Sequence, residues 1–272
     1  MLIPRTEEWR RFVPGVRMYY GEYTLFYNGE ILFDENEEYE FPIYDEIERD
    51  SWQVIIILPG VEVIPEFTFY YCTNVKEVIM ADTVLRIEKD AFGNCENLYD
   101  VKLSRNLEYI GKGAFYGCYD LTSIFIPPSC REIGRWAFAR CNELKIFNVP
   151  RHTQLGEGVI EKTALFWASS FETDDYGGYS NTEQVNQWIK NINNGEQYEL
   201  HRACSSFTPS MDIIYGIVKR KGPSAFQKKN EVGLTALEYL YSNHFTELHI
   251  DQRALMKRYV LEMMGEAVFN VM

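Results

Sequence analysis

One phrase recurs along the middle of this chain at a fixed step, and nothing else in the sequence constrains the fold as tightly. Cys72, Cys95, Cys118 and Cys141 stand 23 residues apart. Phe69, Phe92, Phe115 and Phe138 keep that step, as do Ile64, Ile87, Ile110 and Ile133. After each cysteine come Val75, Leu98, Leu121 and Leu144, then Val78, Val101, Ile124 and Phe147. Met80, Leu103, Ile126 and Val149 close the series, giving six columns in register over four copies. A repeat of this length implies a solenoid, in which each copy buries its apolar side against its neighbours.

Within one copy, "LTSIFIP" (121–127) alternates Ile124 and Ile126 with Ser123 and Phe125, the period of two of a strand. In "IGKGAFYGC" (110–118), Ile110, Ala114, Phe115 and Cys118 lie about one helical turn apart, with glycines at the bends. One strand and one short helical segment per copy make a leucine-rich-repeat coil whose parallel strands stack through backbone hydrogen bonds. Stepping back one period lands on Trp52, Ile55 and Ile57, which predicts a further strand at the start of the stack. "QLGEGVIEKTALF" (154–166) keeps the pattern shifted by one residue and then loses it. Upstream, Asn28-Gly29 in "TLFYNGEILF" (24–33) predicts a hairpin that covers the open end of the first coil.

The phrase "IGKGAFYGCYDLTSIFIP" (110–127) resembles the BspA-like class of leucine-rich repeats, whose pattern is IG..AF..C..L..I.IP. The first copy, "IPEFTFYYCTNVKEVIM" (64–80), is looser, with Thr68 in place of alanine. Further on, "ELHRACS" (199–205) and "GLTALEYL" (233–240) each resemble the opening of an ankyrin repeat. Ser210 and Asp251 are placed to cap the second helices of two such units. Two units are too few for an independent array, so they must pack on "EQVNQWIKNI" (183–192) and on the solenoid end. Taken whole, the entry "EWRRFVPGVR", the repeats and the tail "RYVLEMMGE" resemble the leucine-rich-repeat proteins expanded in diatoms, a group described by architecture rather than by a reaction. The expected fold is an α/β repeat solenoid of right-handed coils with stacked short parallel strands, followed by an α-helical ankyrin-like domain. The expected divisions are a capping segment at 1–40, the solenoid at 41–165, a linker at 166–182 and the helical domain at 183–272.

With 46% hydrophobic and 15% aromatic residues, the chain of 272 residues is a folding one. Its net charge of -13 argues against nucleic acid or an anionic membrane as partner. The acidity peaks at 34–50, with nine acids against Arg49, which reads as a solvated segment or, more sharply, a docking surface for a basic partner. The N-terminus "MLIPRTEEWRRFVPG" lacks the apolar run of a signal peptide, and Val54–Leu58 is too short to span a bilayer, so a cytoplasmic or nuclear location is expected. Thiols stay reduced there, and six cysteines in a chain this long are no disulfide framework.

The periodic cysteines invite a metal or redox reading. Rungs about 4.8 Å apart would separate Cys72 from Cys141 by roughly 14 Å, and one zinc needs four thiolates within about 2.3 Å. Adjacent rungs fall in the disulfide Cα range, but their Cβ vectors run parallel. Buried, apolar structural rungs are the expectation. His201 sits where the ankyrin phrase has its structural histidine, and His244 and His249 are too poorly spaced for a metal pair. His152 has no partner in the sequence that makes a dyad. "GKGAF" lacks the P-loop spacing and no serine lies in a G-x-S-x-G elbow. No cofactor and no catalytic residue follow from these patterns; an enzyme using His201 or His152 near Cys204, and a surface adhesin, are the alternatives.

Surface remains. The outward strand positions form one column of Ile56, Ile79, Lys102, Phe125 and Asn148. Beside it runs Val54, Glu77, Asp100, Ser123 and Ile146. The expected function is a non-enzymatic module or scaffold that binds a protein partner on this face. Ile79 and Phe125 would be the exposed anchors, with Glu77, Asp100 and Lys102 setting register.

Overall fold

The computed structural model describes residues 24–27, 52–169, 171 and 182–242. The second run of the hairpin, the acidic stretch, His244, His249, the Asp251 cap, and the entry and tail phrases lie outside the described residues.

Each coil contributes two strands rather than one. Along the inner ladder, β1 (Thr24–Tyr27), β2 (Val54–Ile57), β4 (Glu77–Met80) and β6 (Asp100–Lys102) form one parallel sheet in that order. β8 (Ser123–Phe125) and β10 (Ile146–Asn148) form a parallel pair of their own. The outer ladder runs β11-β9-β7-β5-β3 through five two-residue strands: β3 (Val63–Ile64), β5 (Arg86–Ile87), β7 (Tyr109–Ile110), β9 (Glu132–Ile133) and β11 (Gln154–Leu155). The periodic isoleucines therefore sit on strands, with Ile64 beside Ile87 and Ile110 beside Ile133. Leu155 pairs with Ile133, which is the one-residue shift read from the sequence. β1 adds a parallel rung at the open edge of β2, with Leu25 opposite Ile55.

The expected short helix of each coil is a chain of hydrogen-bonded turns instead. Two positions per coil, four residues apart, adopt left-handed backbone: Phe67 and Tyr71, Asp90 and Asn94, Gly113 and Gly117, Trp136 and Arg140, all at φ between 51° and 72°. Left-handed residues do not propagate an α-helix, so each one ends a turn. Their neighbours direct N–H groups to the next coil, as Phe69 N to Ala91 O, Phe92 N to Ala114 O and Phe115 N to Ala137 O, each at 2.8 Å. Buried backbone donors are thereby satisfied without a helix.

Between the ladders lies a core of repeated atoms. Phe69, Phe92, Phe115 and Phe138 are fully buried and stack at centroid distances of 5.1, 5.2 and 5.2 Å. Each such pair is worth about 0.5–1.5 kcal/mol beyond its burial. The glycines after Ile110, Ile133 and Leu155 permit close coil approach: a Cβ on Gly134 would lie 2.6 Å from Lys112 N.

The chain forms two compact units. Among the described residues, one holds those up to 122 together with 127–145 and 152–182; the other holds 123–126, 146–151 and 183–242. The first ends in α1 (Ala164–Trp167), capped by Thr163 Oγ1, which accepts from Phe166 N at 3.1 Å. Helices of the second are α2 (Thr182–Asn191), α3 (Glu199–Cys204), α4 (Met211–Lys221) and α5 (Ala236–Ser242). Ser210 caps α4 as the sequence predicts, accepting from Ile213 N at 3.5 Å. A reciprocal capping box starts α5: Glu238 N donates to Thr235 Oγ1 at 3.2 Å and Thr235 N to Glu238 Oε2 at 2.6 Å. Asn230 organises the preceding loop, its Oδ1 accepting from Val232 N at 3.1 Å and Leu234 N at 2.9 Å.

Candidate functional site

The outward side of β2, β4 and β6 is built by strand alternation. Ile55, Ile57, Val78, Met80 and Val101 point inward and are buried. The residues between them are half-buried. Register sets Ile56 beside Ile79 and Ile79 beside Lys102, while Val54, Glu77 and Asp100 align one pleat away. A β-branched pair is thus flanked by a cation at one end and an acidic row along one side. Tyr99 Oη donates to Glu77 Oε1 at 2.9 Å, a bond that raises the Tyr99 pKa and fixes the acid's orientation. The arrangement supplies apolar area with charges at set positions.

The rest of the predicted face is not offered to solvent. Phe125, expected as an exposed anchor, is only 8% exposed, and Ile146 only 3%. Both belong to the apolar core of the helical unit, with Leu200, Cys204, Phe207 and Leu237. Asn148 is half-buried and its Nδ2 donates to Ser205 O, while Ser123 Oγ donates to Ser242 O at 3.4 Å. The physical reason is that short amphipathic helices need an apolar floor, and β8 and β10 supply it. Of the seven residues assigned from sequence, Ile56, Glu77, Ile79, Asp100 and Lys102 stand together, half-buried, on one ladder; Phe125 and Asn148 have structural work instead.

The BspA type leucine rich repeat region matches residues 53–168 in six copies. The solenoid is a BspA-type leucine-rich-repeat region. Such repeat regions generally mediate protein interactions or stand on surfaces, and the fold is typically non-enzymatic. Among solved structures, the chain is similar to a leucine rich repeat protein of T. pallidum at 26% identity, over 40% of this chain and 55% of that one, with a TM-score of 0.39. It is similar to a leucine rich cell surface protein of Faecalibacterium prausnitzii at 33% identity, over 37% and 27%, with a TM-score of 0.36. A leucine-rich repeat protein of Eubacterium ventriosum is 24% identical over 51% and 37%, with a TM-score of 0.43. The chain thus spans 55% or less of the length of these structures. No curated protein matches it. The repeat match ends at residue 168, so the likeness of the following helices to ankyrin repeats is not confirmed.

The BspA-type cysteines are buried packing groups. Cys95, Cys118 and Cys141 each direct Sγ–H to the carbonyl of a phenylalanine in the preceding coil, Phe69, Phe92 and Phe115, at 3.2–3.3 Å. Burial first, and neighbouring thiols second, push Cys95 well above an ordinary thiol pKa. Burial alone pushes Cys204 up to about 12. Raised pKa values keep Cys95 and Cys204 as thiols, not nucleophilic thiolates, at neutral pH. His201 is 1% exposed with Nε2–H donating to Leu234 O at 3.2 Å, and desolvation lowers its pKa. It ties α3 to the loop before α5. His152 is exposed. Among the described residues no cluster of His, Cys, Asp or Glu could hold a metal, and no helix is long and apolar enough to cross a membrane.

The turn side of the BspA-type coils holds a concave site that the column reading overlooked. A cleft of about 340 Å³ opens there, with Asp90, Gly113 and Trp136 along one column. Tyr116, Ala139 and Glu161 follow along the next, and Arg140 and Lys162 along a third. The signal was present as an alternation of size: a small residue, Gly113 or Ala139, sits between two large ones in the first two columns. Averaging the columns into one repeat pattern hides it.

Proposed function

We propose that this chain is a non-enzymatic interaction module that seats a protein partner on the inner strand face of its first coils. The observation that carries the reading is the half-buried Ile56–Ile79 pair held in register beside Lys102 and the Glu77–Asp100 row. Isoleucines supply desolvated contact area, and the charges select orientation and partner. The stacked ladder makes the surface rigid, so little ordering entropy is lost on binding.

The test is quantitative capture with the full chain. Ile56→Asp with Ile79→Asp is compared with wild type and with Glu132→Lys, an exposed change on the outer ladder. The expected result is one protein held by wild type and by the outer-ladder variant but lost from the double variant, all three melting alike. Retention by a folded double variant overturns the reading. The same face would serve a module inside the cell or an adhesin displayed on its surface. Six free cysteines favour the inside, and localisation of a tagged chain in its native cell separates the two.

A further inference from the structure

The charge of this chain lies in two opposite blocks. Residues 219–229 carry five cations and no acid, although the net charge is -13. Residues 34–50 carry nine acids against Arg49. As a docking element that acidic stretch needs a basic surface, and the helical unit has one. Lys219, Arg220 and Lys221 fill the last turn of α4, where cations complement the helix dipole. Glu199, at the start of α3, accepts from Arg220 on Oε1 and, at 2.9 Å, from Lys221 on Oε2. Lys221 first and Arg220 second hold its carboxyl below the usual carboxylate range. Lys228 reaches the same place from beyond Gly222, its Nζ 5.6 Å from the ring centroid of Tyr198, the neighbour of Glu199. The dipole does not account for that fourth cation. One carboxylate is thus paired among four neighbouring cations, all of them exposed, and positive charge is left over at the surface.

Apolar side chains adjoin these charges. On α4, Ile213 is 59% exposed and Tyr215 43%. Helical spacing sets Ile213 on the face of Arg220, seven residues on, and Tyr215 on that of Lys219, four residues on. Gly216 lies among them with nothing within 4 Å of where a Cβ would stand, so a docked backbone can come close. The outer face of α4 therefore runs from apolar anchors into a cationic end. The stretch 34–50 has the matching composition, its acids interleaved with Tyr39, Phe41, Ile43, Tyr44 and Ile47. A nucleic-acid backbone brings the negative charge without such apolar side chains. Two copies share the same sign of net charge, but charges more than about 8 Å apart are screened at physiological salt, so the blocks in contact decide the sign. In a two-fold pair each copy gives its acidic stretch and receives the other's, and the contact is made twice.

We infer that the basic end of α4 docks the acidic stretch 34–50 of a second copy of this chain. The acids face Lys219, Arg220, Lys221 and Lys228, and the interleaved apolar residues meet Ile213 and Tyr215. None of the strand-face residues takes part, so this contact stands or falls independently of them.

Charge exchange between the two blocks tests this in the full chain, by sedimentation equilibrium at physiological salt. The expected result for wild type is association that rises with concentration. Lys219→Glu with Lys228→Glu leaves the Glu199 ion pairs in place and should weaken association tenfold or more, with wild-type melting. Glu46→Lys with Glu48→Lys should weaken it as much without altering the sequence of the helical unit. Mixing the two variants should restore association, because the reversed patch then meets the reversed stretch. A wild type that stays monomeric throughout, as docking within one chain would leave it, overturns the assignment. Full association of either variant alone, or no recovery in the mixture, also overturns it. So does tighter binding of a single-stranded oligonucleotide or of phosphatidylserine vesicles that the Lys219→Glu, Lys228→Glu variant loses.

Discussion

Phe125→Ala distinguishes a docking residue from a structural one. The side chain is 8% exposed within the helical unit's core. A buried phenylalanine removes about 150–250 Å² from water. At about 25 cal/mol per Å² that is about 4–6 kcal/mol, and a compact denatured chain reduces the gain to about 3–5 kcal/mol, in line with the range for Phe→Ala in cores. The loss should fall on the helices. Amide exchange of α3 and α5 is expected to accelerate by roughly 10²–10⁴-fold, because Leu200, Leu237 and Leu240 share the cluster with Phe125. The stacked phenylalanines should keep their protection. Ile79→Ala, at a half-buried position, should change stability by about 1 kcal/mol or less. Phe125→Ala costing less than about 1 kcal/mol, with α3 and α5 amides unchanged, would refute the placement of Phe125 as a core residue.

Gly134→Ala would set a Cβ 2.6 Å from Lys112 N and 2.7 Å from Gly111 C, both backbone atoms; a loss of about 1–3 kcal/mol in urea unfolding is expected. Asn230→Ala strips the acceptor from two backbone N–H groups and leaves the buried Tyr239 Oη without its 3.1 Å partner Asn230 Nδ2, so a loss of about 2–3 kcal/mol is expected in the same assay. Burial pushes the Cys130 thiol from 9.0 to about 12. The unfolded chain therefore releases that proton first, and the contribution present below about pH 9 is lost as pH rises to about 12. Urea unfolding of wild type across that window should fall more steeply than that of Cys130→Ala, by about 1.4 kcal/mol per pH unit.

The inner core was legible because a solenoid writes the same contact once per coil. Phe115 and Cys118 are uninterpretable alone, yet their columns set the strand register and the buried faces. The turn conformation was less legible. Gly113 and Gly117 hint at left-handed backbone, but Phe67, Tyr71, Trp136 and Arg140 occupy the same positions with side chains that disguise it. The outward face failed in one place for a different reason. Period-two alternation tells which side of β8 Phe125 occupies and nothing about what lies on that side, because its neighbours Leu200 and Leu237 are distant in sequence and outside the repeat. The turn-side cleft combines three columns, so no single column reveals it.

The most direct test of the strand-face proposal is a photo-reactive amino acid placed singly at Ile79, at Glu132 or at Phe125 in the full chain, irradiated in the native cell. The expected result is one discrete adduct to another protein from position 79, none from the outer ladder at 132, and none from the position buried in the helical unit. An adduct from position 132 or 125, with position 79 silent, would contradict it.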